Sequence, residues 1–159
     1  MTQEAILFTR EQVLEMEPLE LGIEVAQHIF RANMIRKEDC PDSRLLIGHF
    51  GYKAWQPLSG ERWENASWRN SDENAWLDCP RYGEDISATW KMQSILDQDP
   101  KIREQYAIEL QNVLELNLIE TTPTLDSIYQ IVHATPAQRC KAALLTYLKL
   151  KSHQKAESE

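Results

Sequence analysis

Cysteine is scarce in this 159-residue chain, and the three present, Cys40, Cys79 and Cys140, are too far apart to form a C-x-x-C pair. An odd number without that spacing supports neither a disulfide framework nor a zinc knuckle, so reduced thiols are expected. Glycine is also below average, at 5 residues. Neither G-x-x-x-x-G-K-[ST] nor G-x-G-x-x-G occurs, which removes the usual phosphate-cradling loops. No apolar run approaches the ~20 residues that a membrane-spanning helix needs. The opening MTQEAILFTREQ lacks a basic start followed by an apolar stretch, so a cytoplasmic protein is expected. H-E-x-x-H, G-x-S-x-G and the H-x-E with P-C-x-x-C pattern are missing as well, and the reading leans away from an enzyme.

What is present points to one folded unit. Hydrophobic residues make up 42% and charged residues 26%, an ordinary globular balance. Residues 1–150 are read as a single domain, with a tryptophan-rich extension over residues 34–80 and a frayed tail over residues 151–159. The net charge is −8, from 25 acidic against 17 basic residues. An acidic surface keeps the chain soluble and repels the phosphates of duplex DNA.

Several segments announce their structure. Thr9-Arg10-Glu11-Gln12 has the form of a capping box before Val13, Leu14 and Met16, and Pro18 stops that turn. Leu21, Val25, Ile29 and Phe30 recur at helical spacing between Glu20 and Arg31. Leu45 to Phe50 suits a strand, continued past Gly51 over Tyr52 to Trp55. A helix is expected to open at Tyr82-Gly83-Glu84-Asp85 and run through Ile86, Trp90 and Leu96, with Trp90 filling the core. Another follows Asp99-Pro100 over Lys101 to Leu116. Ser127 to Val132 alternates and is rich in β-branched residues, so it reads as a strand. Thr135-Pro136-Ala137-Gln138 caps a last helix, with Cys140, Ala143, Leu144, Tyr147 and Leu148 on its inner face. The expected fold is therefore α+β: a small antiparallel sheet packed with helices.

One segment carries a binding signal. Tyr52, Lys53, Trp55, Arg62, Trp63, Trp68 and Arg69 concentrate aromatic rings and cations, opposed only by Glu61 and Glu64. Flat rings stack on bases, and guanidinium forks fit phosphates or carboxylates. The same residue types dominate protein interfaces. Packing of the tryptophans between sheet and helices is the plain alternative. His49 and His133 lack a partner that sequence can place beside them, and Cys40, Asp42 and His49 match no zinc spacing, so no metal and no cofactor are expected. Cys140 reads as a small buried hydrophobe.

Three ordered motifs also resemble a known family. Phe8-Thr9-Arg10-Glu11-Gln12-Val13-Leu14 through Leu19 to Ala26, Tyr82 to Trp90, and Thr135-Pro136 through Cys140-Lys141-Ala142-Ala143-Leu144 are similar to the small phage and prophage proteins with an α/β/α sandwich domain. The resemblance covers less than half of the chain and leaves out the tryptophan-rich segment. It implies a sandwich fold and a bacterial host cytosol, with no activity or catalytic residues to carry over. The functional expectation is a phage accessory binding protein without catalysis, taking a host protein or a small anionic or nucleotide ligand on the Tyr52 to Arg69 surface. The alternatives are an interaction module that works by forming homo-oligomers, through Lys101 to Leu116, and an enzyme with an unrecognised site that gathers His49 or His133 with an Asp or Glu.

Overall fold

The computed structural model describes residues 8–33, 49–52, 58–62, 74, 76–116 and 122–158. Its helices are α1 (Arg10–Glu15), α2 (Pro18–His28), α3 (Ile86–Leu96), α4 (Pro100–Val113), α5 (Leu125–Val132) and α6 (Pro136–Ser158). Each start obeys local chemistry. Thr9 and Gln12 bond reciprocally ahead of α1, at 3.2 and 2.7 Å. Pro18 does not merely stop α1; it occupies the first turn of α2, where its missing N–H is harmless. Asp85 and Asp99 cap α3 and α4 through the backbone N–H groups of Ser87 and Lys101, each at 2.9 Å.

The core sits around α6. Cys140, Ala142, Ala143, Leu144, Leu145, Thr146 and Tyr147 are all buried. A helix enclosed over this much of its circumference belongs at the centre of a bundle, and α6 packs on α4, α2, α1 and α3. Thr146 satisfies its sealed hydroxyl by donating to the Ala142 carbonyl at 2.8 Å. α6 runs on to Ser158 and is exposed from Ser152 onward.

The turn before α3 is pinned from three sides. Its Tyr82 ring stacks on Phe30 at 4.7 Å. Its Tyr82 carbonyl accepts from Thr89 Oγ1 at 2.7 Å and from Cys140 Sγ at 3.2 Å. Gly83 follows because a Cβ there would lie 2.2 Å from the Pro18 carbonyl oxygen.

The α+β expectation, sandwich included, is overturned: the described residues are mostly helical. Outside the helices, backbone pairing is a short antiparallel ribbon. Ala32–Asn33 lies beside His49–Tyr52, with Ala32 opposite Phe50, and His49–Tyr52 lies beside Leu58–Arg62, with Phe50 opposite Glu61. Among the described side chains, the core comes from helices and their turns, with Ala32 its one member on the ribbon. Ser127 to Val132, read as a strand, belongs to α5, so no strand stands against α6 there.

Candidate functional site

α5 is short, well capped and turned the wrong way round for a core helix. Thr124 and Ser127 form a reciprocal box, Ser127 N–H to Thr124 Oγ1 at 3.1 Å and Thr124 N–H to Ser127 Oγ at 2.9 Å. Asp126 in the first turn favours the dipole and accepts from Gln130 Nε2 at 2.8 Å. Within the helix only Ser127 is buried. Its large apolar residues face solvent: Leu125 is 88% exposed, Ile128 48%, Tyr129 61% and Val132 63%. Positions i, i+3, i+4 and i+7 make one stripe. His133 extends the stripe, stacked on Tyr129 at 3.9 Å with Nδ1 2.9 Å from the Tyr129 carbonyl oxygen.

Arg139 of α6 holds this helix in place. Its side chain is buried yet fully engaged: Nε donates to the Ala134 carbonyl at 3.0 Å, and Nη2 reaches the carbonyls of Ile131 and Val132 at 3.3 and 3.1 Å. Those carbonyls belong to the end of α5, where no intrahelical partner exists. Nη1 donates to Gln93 Oε1 at 3.0 Å, which joins the assembly to α3. The Trp90 ring covers the guanidinium, 5.0 Å from centroid to Cζ, in cation–π geometry. Trp90 is therefore not the core filler that its type suggested. It shields a buried cation with one face and remains 51% exposed. Beside it, burial pushes the Tyr106 phenol up to about 12, against the opposing charge of Arg139.

The remaining reactive groups are placed for packing. Burial pushes the thiols of Cys79 and Cys140 up to about 12, so neither is a ready nucleophile, as expected for Cys140. His28 Nε2 lies 3.0 Å from Glu24 Oε2, between the rings of Phe8 and Tyr147 at 5.3 and 5.0 Å. His28 and His133 sit in different clusters. Among the described residues, no three of His, Cys, Asp or Glu gather as metal ligands. No described helix is long and apolar enough to cross a membrane.

Of the residues singled out in the sequence, Tyr52 lies on the ribbon opposite Leu58, and Arg62 lies opposite His49. Lys53, Trp55, Trp63, Trp68 and Arg69 fall outside the described residues, as do Cys40 and Asp42. The α5 stripe escaped notice although its spacing is written in the sequence: Leu125, Ile128, Tyr129 and Val132 follow a Thr-x-x-Ser start. No family model matches the chain, and no curated protein or solved structure matches it either.

Proposed function

We propose that this chain is a binding protein that acts by protein contact instead of catalysis, and that a second copy of itself occupies the α5 face. The observation that carries the reading is the outward apolar stripe of a helix that is capped, charge-balanced and pinned by Arg139. Sequences do not build such support for a face meant to stay wet, and contiguous exposed apolar patches mark interaction sites. Leu125, Ile128, Tyr129 and Val132 offer roughly a few hundred Å² per copy, the size of patch that marks such sites. Two copies joined across a twofold axis would bury on the order of 1,000 Å², the lower bound for a specific interface. This is the oligomerising module of the sequence reading, moved from α4 to α5. Light scattering of the full chain at tens of micromolar tests it. A dimer is expected, and the double variant Leu125→Lys, Val132→Lys should be a monomer with unchanged helicity. A wild-type chain that stays monomeric would remove the self-association reading.

A second reading keeps the mid-chain cluster of Tyr52, Lys53, Trp55, Arg62, Trp63, Trp68 and Arg69 as a surface for a nucleotide, in a phage setting. The density of rings and guanidinium groups in an acidic chain favours it. Thermal shifts with cyclic and linear nucleotides, absent in an Arg62→Ala, Arg69→Ala variant, are the expected result. Flat responses from the wild type would count against it.

A further inference from the structure

A cleft of about 350 Å³ opens among the chain leading into α1, α4 and the second half of α6. Phe8, Leu145 and Leu148 give it apolar walls, while Arg10 and Lys149 bring two cations to the same space. Its one acidic lining residue, Glu109, is 4% exposed and already occupied. The Glu109 carboxylate accepts from Arg10 Nη1 at 3.0 Å, Gln105 Nε2 at 3.2 Å and Asn112 Nδ2 at 3.5 Å. Arg10 gives that bond from one nitrogen and remains 45% exposed, so it keeps further N–H donors to offer. Lys149 has no hydrogen bond or ion pair among the described residues. The lining therefore carries an excess positive charge in a chain whose net charge is −8.

We infer that this cleft binds a small organic anion, its oxyanion head held by Arg10 and Lys149 and its apolar body laid on Phe8, Leu145 and Leu148. Apolar walls with a few convergent polar groups are the usual make-up of a small-molecule site, and the volume lies within the usual range. At ~30 Å³ per water-sized unit, the space suits a molecule of about ten non-hydrogen atoms. A guanidinium fork beside an ammonium accepts either a carboxylate or a phosphate. A bare inorganic anion gains nothing from the walls, and a neutral chain gains nothing from the cations. The site shares no residue with the α5 face and stands or falls without it.

Calorimetric titration of the full chain with octanoate, phenyl phosphate, octanol and inorganic phosphate tests this. At least one of the first two is expected to bind at one site per chain, at least about tenfold tighter than octanol or inorganic phosphate. Which of the two binds tells carboxylate from phosphate. Lys149→Glu, at an exposed position that folding does not need, should weaken binding about tenfold or more, and Phe8→Ala should weaken it too. Failure of both anions to bind overturns the inference. Octanol binding as tightly as octanoate also overturns it, as does affinity that Lys149→Glu leaves unchanged.

Discussion

α5 and α6 are neighbours that start alike and end up as opposites. Each opens with a threonine whose hydroxyl accepts from the backbone N–H three residues on, Thr124 from Ser127 and Thr135 from Gln138. Each threonine's own backbone N–H donates in return to the side-chain oxygen of that third residue. Beyond the caps they diverge. α6 buries eight of the nine residues from Arg139 to Tyr147, all but Lys141, in the centre of the bundle, whereas α5 buries only Ser127. Local propensity thus explains why both are helices and says nothing about what each is for. The difference lies in where the apolar side chains end up: those of α6 hold the domain together, and those of α5 remain on offer.

The contrast breaks if truncating a side chain in each helix has the same effect. Leu144 is fully buried. Leu144→Ala should lower unfolding free energy by about 3 kcal/mol through lost burial and the cavity left behind. Chemical denaturation followed by circular dichroism checks it. A loss under about 1 kcal/mol would mean that α6 is not the centre of packing. Arg139 is where the two helices meet. Arg139→Met keeps an apolar stem but takes the donor from the carbonyls of Ala134 and Val132 and leaves Ile131 only its backbone partner, and about 2 kcal/mol should go with it. Hydrogen exchange should show amide protection lost first in α5, while the middle of α6 stays protected. Uniform loss across both helices would show that α5 is an integral part of the core.

The legibility of this molecule follows the same division. The capped starts of α1, α3, α4 and α6 stand in the sequence as Thr9 with Gln12, Asp85, Asp99-Pro100 and Thr135-Pro136, because capping depends only on residues a few positions apart. α5 was misread because Ile128, Ile131 and Val132 are β-branched and suit a strand as well as a helix; the box from Thr124 to Ser127 is what decided between them. Nothing in the sequence marks Arg139 for burial, since that depends on carbonyls that only the folded chain brings to it. Trp90 was assigned to the interior on the general habit of indoles, and Arg139 beneath it is the reason that it lies outside. Five of the seven candidate residues in the run from Tyr52 to Arg69 fall outside the described residues, so the candidate face that the structure adds is a different one.

Smaller effects separate the helices more finely. Thr124→Ala removes one member of the α5 box and should lower the stability of that helix by about 1 kcal/mol. Because α5 contributes little to the core, the loss should appear as faster exchange of its own amides, with the global unfolding midpoint nearly unmoved. Thr135→Ala removes the equivalent hydroxyl from α6 and should shift the global midpoint instead. Equal shifts from the two changes would join α5 to the cooperative unit.

The smallest effect on stability is also the one that bears most on function. Leu125 is the most exposed of the described large apolar residues, so Leu125→Ala should change unfolding free energy by less than about 0.5 kcal/mol in the monomer. If the α5 face is only surface, nothing else should change. If a second copy covers it, the same truncation removes contact area from both sides of a twofold interface, and the effect is counted twice in every dimer. Sedimentation of wild type and Leu125→Ala over a range of concentrations should therefore show weaker self-association with monomer stability untouched. A residue that matters to assembly and not to folding is what distinguishes a face built for a partner from one left over by packing.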